Sequence, residues 1–182
     1  MPGETVLLVP HWLAQPLPTG GMLARRRLIL PCEFALAVGA TPGPELIAVP
    51  PLAGTPAARY LTLAGVLLQA VQQAVVAGMD GELLVQLLVP RDAARAVHAG
   101  LGAMLDSIGA EMPRLLGQVV EVPAEWSAAE ALACLEREAR AGQHRRVRYQ
   151  DGGRFVRGWQ DFRPTAHPAD WRAGGIYLIS GG

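Results

Sequence analysis

The sequence contains neither lysine nor asparagine, although it has 182 residues and 16 basic side chains, all of them arginine. Without lysine, this chain cannot supply the phosphate-binding lysine of a P-loop or a lysine that forms a Schiff base. The residues of this chain therefore cannot form the active site of an enzyme that depends on either lysine.

Cysteine is scarce as well. Cys32 and Cys134 are the two cysteines, too few for a disulfide framework and too isolated for a zinc site. We predict that both are reduced thiols in the core. The histidines at positions 11, 98, 144 and 167 lack ligand spacing, so no metal site is predicted, and His98 is expected on the polar face of its helix.

Long apolar runs and an excess of one charge are also missing. The hydrophobic fraction is 51%, yet no uncharged apolar run approaches the roughly 20 residues that span a bilayer. The first residues, MPGETVLLVP, have no basic region and do not predict a secretory signal. The formal net charge is zero, which argues against a nucleic-acid partner. We predict a cytoplasmic protein without a membrane partner.

Short β-branched or leucine-rich runs alternate with longer helical stretches. This order is typical of an α/β fold with a mostly parallel sheet flanked by helices. The run at Leu83–Val89 is apolar almost throughout, as expected for a strand in the middle of the sheet. Strands are predicted at Thr5–Val9, Arg27–Pro31, Glu45–Val49, Leu83–Val89, Leu116–Val122, Arg145–Tyr149, Phe155–Trp159 and Ile176–Ser180.

Three helices follow from apolar spacing. In the first, ending at Gly78, the predicted buried stripe is Leu61, Ala64, Leu67, Leu68, Val71 and Val75. The second runs from about Asp92, after Pro90 ends the preceding strand, to Gly109, with the stripe Val97, Leu101, Met104, Leu105 and Ile108.

The third helix begins at Ser127, with Glu130 as its reciprocal capping partner, and ends near Gly142. It should offer the core Ala131, Leu132 and Leu135. Downstream, the glycines between Tyr149 and Phe155 predict a hairpin turn that joins antiparallel strands.

Charged and nucleophilic residues give no catalytic constellation. The arginines within Arg140–Tyr149 and at Arg25–Arg27 could contact phosphate, but we favour a solvated helix end and strand edge. Three glutamates, at 130, 136 and 138, are expected on an exposed helix, with Glu136 paired to Arg140. The serines at 107, 127 and 180 lack the GxSxG elbow of a serine hydrolase.

Several short segments of the sequence, taken in order, are more specific than its overall composition. They are LLVPHWLAQPL, RLILPCEF, LVQLLVP, HAGLGAMLDSIGAEMPRLLGQVVEV, RRVRYQDGGRFVRGW and WRAGGIYLISGG. Together they resemble the ketoreductase region of modular polyketide synthases, particularly assembly lines served by a trans-acting acyltransferase. The resemblance covers nearly the whole chain. Departures occur at Asp106, where lysine is common, and at Glu111–Pro113, where Glu-Asn-Pro is common.

The resemblance implies a tandem pair of short-chain-reductase folds. Residues 1–170 would be the structural subdomain, a truncated Rossmann-like unit, and residues 171–182 the first strand of the catalytic subdomain, truncated at its glycine-rich loop. Only Ser180, Gly181 and Gly182 match the cofactor loop (T/S)GGxGxxG. The family's catalytic lysine, serine, tyrosine and asparagine would lie beyond it. No catalytic residue, no complete cofactor site and no metal are therefore expected in this chain, whereas NADPH is expected for the parent ketoreductase.

Three functions are compatible with this resemblance. The leading hypothesis is a non-catalytic scaffold that supports the catalytic subdomain, among neighbouring synthase domains and an acyl carrier protein. A second is a fragment of an active reductase of β-ketoacyl intermediates. A third is a pseudo-ketoreductase, kept as an interaction element beside a dehydratase or methyltransferase domain.

Overall fold

The structure, a computed structural model, describes residues 7–18, 26–36, 44–78, 81–141, 144–162 and 174–176. These residues form one sheet with helices on both faces, so the predicted α/β class is confirmed. Within them, no helix combines the length and the apolar character needed to cross a membrane.

Seven strands make up the described sheet. They are β1 Leu8–Ala14, β2 Arg26–Pro31, β3 Glu45–Leu46, β4 Leu83–Arg91, β5 Leu115–Pro123, β6 Arg146–Gln150 and β7 Gly153–Asp161. Their order across the sheet is β1-β7-β6-β5-β4-β2-β3. The strands β2 to β6 run parallel, whereas β7 is antiparallel to both β6 and β1.

Three α-helices cover the sheet, and a 3-10 helix at Ala96–Gly100 precedes the second of them. Helices α1 (Pro56–Val76) and α2 (Leu101–Glu111) pack on one face, and α3 (Ala128–Ala141) packs on the other. β4 lies between β2 and β5, and all its residues except Arg91 are buried. The prediction of a central strand at Leu83–Val89 is confirmed.

The buried stripe predicted for α1 is wrong in part. Leu67 and Val71 are buried as expected, but Leu61 is 70% exposed. The helix buries Leu63, Leu67, Val71 and Ala74 instead. The reason is that α1 is apolar on more than one side, so several stripes with the spacing i, i+3, i+4 fit its sequence. Contacts with the sheet, which lie far away in sequence, select one of them.

Proline does not end the strands where the sequence predicted. β1 was expected at Thr5–Val9, yet it continues through Pro10 to Ala14 because it is the edge strand, where a missing N–H is tolerated. β4 continues through Pro90. The carbonyl of Leu88 accepts from the Cys32 N–H at 2.9 Å, so the nitrogen of Pro90, two residues on, faces the same side, where β2 has already ended.

The other helices and strands lie near their predicted positions, with small differences in type and length. The predicted helix from Asp92 is a turn, then the 3-10 helix, then α2, and Val97 is exposed rather than buried. β3 is only two residues long, shorter than the predicted Glu45–Val49. Of the predicted strand Ile176–Ser180, all but Ile176 lies outside the described residues.

The hairpin and the capping box are confirmed. Asp151 and Gly152 have φ angles of 49° and 72° and connect β6 to antiparallel β7, as a type I′ turn requires. At the start of α3, the Ser127 N–H donates to Glu130 Oε2 at 2.8 Å, and the Glu130 N–H donates to Ser127 Oγ at 3.3 Å. Ala131 and Leu135 are buried as predicted, with Leu132 partly buried.

Candidate functional site

The direction of the chain across the sheet reverses between β2 and β4. From β2 the chain moves outward to β3, and it then crosses back along α1 to β4 on the other side of β2. In open α/β sheets, ligands bind outside the carboxyl ends of the strands at such a switch point. The residues after β2 and β4 are therefore the first candidates for a site.

A carboxylate occupies this switch point. Glu33 follows β2 with a φ of 58°, in the left-handed region that residues other than glycine rarely adopt. Its Oε1 lies 2.8 Å from Nε2 of His98, and its Oε2 accepts a hydrogen bond of 2.8 Å from Nη1 of Arg59. Arg95 Nη1 donates to the Glu33 carbonyl at 3.1 Å. We call these four residues the Glu33 cluster.

Three elements bring the Glu33 cluster together. Arg59 lies in the first turn of α1, where Thr55 caps the helix by accepting from the Ala58 N–H at 3.2 Å. Arg95 lies in the turn after β4, where it forms an ion pair with Asp92 and its N–H donates to Asp92 Oδ1 at 2.9 Å. Glu33 thus links the ends of two parallel strands to the start of α1.

His98 belongs to this cluster and not to a solvent-facing helix surface. The prediction that it lies on a polar face is wrong, because its side chain is fully buried. The 3-10 geometry of Ala96–Gly100 places its side chains differently from the α-helical period assumed for the sequence. Its Nδ1 is buried without a hydrogen-bond partner among the described residues.

The chemistry of the Glu33 cluster is that of a closed internal ion pair. A dinucleotide pyrophosphate is normally held by a glycine turn and by free amides at a helix N-terminus. Here Cys32, Glu33 and Phe34 follow β2, so side chains and a negative charge stand where a phosphate would approach. The guanidinium of Arg59 is already matched by the Glu33 carboxylate. The arrangement fixes strand ends to a helix, and both of its guanidinium groups, Arg59 and Arg95, are already paired with carboxylates.

A hollow of about 640 Å³ opens beside Glu33. Glu33 is the single charged side chain of its described lining, which otherwise includes Phe34, Leu46 and Leu52. Such a wall offers no cation to a nucleotide phosphate. Nearby, burial raises the pKa of the Cys32 thiol to about 12, so this group is a protonated core thiol near neutral pH. Cys134 is also free and buried, and the prediction for both cysteines is confirmed.

Glu138 forms a second buried cluster, on the α3 face of the sheet. The prediction that it is an exposed helix residue is wrong, because its side chain is fully buried. Arg154 donates to it through Nε at 2.6 Å and through Nη2 at 2.9 Å, and the Tyr149 hydroxyl donates to it at 2.6 Å. Arg154 Nη1 also donates to the carbonyls of Gln15 and Pro16, at 3.2 and 3.3 Å.

This Glu138 cluster joins α3, the β6–β7 hairpin and the segment after β1. Burial raises the pKa of Tyr149, and its hydrogen bond to Glu138 raises it further. Although burial lowers the pKa of Arg154, the bonds to Glu138 outweigh that effect, and the net shift is upward. A buried, hydrogen-bonded pair of opposite charges of this kind holds the elements together.

The arginine-rich stretches are solvated in part: Arg140 and Arg145 are exposed as predicted, whereas Arg27 and Arg148 are not. Arg27 contacts Glu136 and donates to Gln86 at 3.0 Å, and Arg148 lies 2.8 Å from Glu121 and 4.0 Å above the ring of Trp12. Their partners come from strands or helices far away in sequence, which explains why a run of arginines alone did not reveal them.

Other predicted residues have the roles expected from the sequence. Arg140 pairs with Glu136 at 3.3 Å on the exposed surface, as predicted. Ser127 is a helix cap, and the Ser107 hydroxyl donates to the Ala103 carbonyl at 3.1 Å. The matches to the cofactor loop, Ser180, Gly181 and Gly182, lie outside the described residues.

Comparison with known proteins finds relatives among the polyketide synthases. The chain is 30% identical over 118 residues to polyketide synthase PksL, and 28% identical over 130 residues to polyketide synthase PksN, both of Bacillus subtilis strain 168. The matches cover 64% and 69% of this chain but only 3% and 2% of those synthases. No protein-family model matches the chain.

Solved structures show the same fold. A ketoreductase domain from the bacillaene assembly line matches 89% of this chain and 39% of its own, with a TM-score of 0.74 and 23% identity. A C2-type ketoreductase from a modular polyketide synthase matches 92% of this chain and 46% of its own, with a TM-score of 0.55 and 16% identity. The resemblance to the ketoreductase region of polyketide synthases is therefore confirmed, by sequence and by fold.

Proposed function

We propose that this chain is the structural subdomain of a polyketide synthase ketoreductase and has no catalytic role of its own. In this proposal residues 1–170 form the subdomain, and residues 171–182 begin the catalytic subdomain that it supports. That partner would use NADPH to reduce β-ketoacyl intermediates on an acyl carrier protein, within an assembly line served by a trans-acting acyltransferase.

The observation that carries the proposal is the Glu33 cluster. In a Rossmann-like sheet the switch point is the cofactor position. Here it holds a carboxylate that bonds to Arg59 and His98, so an internal anion takes the place of a phosphate. The same residues that would have to receive a nucleotide instead connect β2, β4 and α1 into one rigid unit. Rigidity without a ligand is what a supporting subdomain needs.

Titration of the chain with NADPH should give no saturable binding at micromolar concentrations, because the guanidinium groups of the Glu33 cluster are already paired with carboxylates and are not available to a pyrophosphate. Calorimetry or the change in nicotinamide fluorescence measures this directly. The ketoreductase domain from the bacillaene assembly line, titrated in parallel, is the control for a complete domain. A dissociation constant in the micromolar range for this chain would contradict the proposal.

A second experiment tests whether this chain stabilises the catalytic subdomain. The catalytic subdomain of the parent protein, produced separately, should gain soluble yield and a higher melting temperature when this chain is added, since a partner that binds only the folded state stabilises it. An unchanged melting temperature, together with binding to a dehydratase or methyltransferase domain, would favour the pseudo-ketoreductase scaffold instead.

A further inference from the structure

A second hollow, of about 510 Å³, lies where β6 begins and β7 ends, at the amino ends of the parallel strands and away from the carboxyl ends that hold the Glu33 cluster. Arg145, Arg146 and Arg157 contribute to its wall beside the indole of Trp159, and α2 closes one side with Asp106. We call this hollow the arginine pocket. Neither the fold nor the proposed scaffold role accounts for three guanidinium groups at one place.

The charges of the arginine pocket do not cancel. Asp106 forms an ion pair with Arg146 and lies 3.5 Å from Nη1 of Arg145. Arg157 has no acidic partner among the residues the structure describes. Three positive charges therefore face one negative charge, which leaves an excess of two before His144, also in the wall, is considered.

The guanidinium groups are close enough to affect one another. Burial lowers the pKa of Arg146, and repulsion from Arg157 and Arg145 lowers it as well, although Asp106 opposes them. Like charges held together in this way cost free energy, and a bound anion would recover it. For His144, burial lowers the pKa, so this ring is neutral near pH 7 and leaves the charge excess at two.

The position of Arg146 is built into the fold. Its side chain is only 14% exposed, and it lies directly against the backbone of α2 at Gly102. A Cβ at position 102 would lie 2.5 Å from Cζ of Arg146, so only glycine leaves room for this guanidinium. One cation of the arginine pocket is thus largely buried and paired with Asp106, while Arg145 is 59% exposed and accessible to a ligand.

We propose that the arginine pocket binds a phosphate monoester. A phosphate monoester carries a charge of about −1.5 to −2 at pH 7, which matches the excess of two positive charges. Guanidinium forks bind phosphate oxygens in pairs, and the exposed indole of Trp159 offers a flat surface to the organic part of the ester. The volume lies within the range of small-molecule sites and exceeds the need of phosphate alone.

This inference does not rest on the scaffold function, because the two sites lie at opposite ends of the parallel strands. The phosphate belongs either to a free small molecule or to a phosphorylated side chain of another protein. Both sources present the same chemistry to the three arginines, and the experiment below separates them.

The test is a titration of the chain with phenyl phosphate, followed by tryptophan fluorescence and by calorimetry. We expect saturable binding that inorganic phosphate competes away. The variants Arg157→Gln and Arg145→Gln should each weaken binding about tenfold, as expected for loss of a hydrogen bond to a charged group. Asp106→Asn should strengthen it, because the competing carboxylate charge is removed. The matched control is Arg140→Gln, which changes an exposed arginine outside the pocket and should leave the affinity unchanged.

The outcomes separate clearly. Equal affinity in Arg157→Gln, Arg145→Gln and the unaltered chain would overturn the assignment of the site, and benzoate binding as tightly as phenyl phosphate would overturn the phosphate class. A phosphoserine peptide that binds more tightly than phenyl phosphate supports the site with a protein-borne phosphate, whereas the reverse order supports it with a free ester. Absence of binding for both at millimolar concentrations overturns the proposal. The variant Trp159→Phe shows whether the fluorescence change comes from Trp159. Circular dichroism verifies that every variant is folded.

Discussion

Replacement of Arg154 by methionine is expected to lower the free energy of unfolding by about 3–5 kcal/mol, the usual cost of breaking a buried ion pair from one side. Glu138 is fully buried and accepts two hydrogen bonds from Arg154. Without the guanidinium, the Tyr149 hydroxyl is the one remaining hydrogen-bond partner of this buried carboxylate among the described residues. The same change also removes the bonds to the carbonyls of Gln15 and Pro16, so the segment after β1 should loosen first.

Urea unfolding followed by circular dichroism measures the change. The matched control is Arg140→Met, which removes an arginine that is 66% exposed and paired with Glu136 on the surface, and which should cost at most about 1 kcal/mol. The double variant Arg154→Met, Glu138→Leu removes both charges and should be more stable than Arg154→Met alone. If Arg154→Met and Arg140→Met destabilise equally, the Glu138 cluster does not hold these elements together.

Local signals in the sequence were sufficient for much of the fold. The apolar run of β4 needs cover on both faces, and it is the middle of the sheet. Asp151 and Gly152 can adopt the positive φ angles of a tight hairpin, and the capping residues of α3 lie three positions apart. In each case the signal that predicts the element lies within a few consecutive residues, so the sequence pattern alone contains it.

The candidate sites depend on partners that are distant in the chain, and for that reason sequence patterns missed them. Glu33 and His98 are 65 positions apart, and only the parallel arrangement of β2 and β4 brings them together. Glu138 has charged neighbours on its own helix, which favoured an exposed position, yet its partner Arg154 is on β7. A buried charge has no periodic signature, since its burial depends on whether another element supplies the opposite charge. The left-handed backbone at Glu33 was likewise invisible from the sequence.

Helix α1 provides the sharpest test of how the structure corrects the sequence pattern. Leu63 is fully buried, whereas Leu61, which the pattern placed in the core, is 70% exposed. Leu63→Ala should therefore lower the free energy of unfolding by about 2–5 kcal/mol, because it removes buried methyl groups and leaves a cavity. Leu61→Ala should change it by no more than about 0.5 kcal/mol, as surface substitutions do.

The comparison isolates burial from other effects. Both substitutions replace leucine by alanine in the same helix, so the change in helix propensity is nearly the same for both and cancels in the difference. Urea unfolding of the two variants beside the unaltered chain gives that difference. Equal destabilisation by the two substitutions, or a larger loss from Leu61→Ala, would show that α1 packs on the sheet through the stripe that its spacing first predicted. A larger loss from Leu63→Ala means that the sheet, and not the helix sequence, selects which side of α1 is buried.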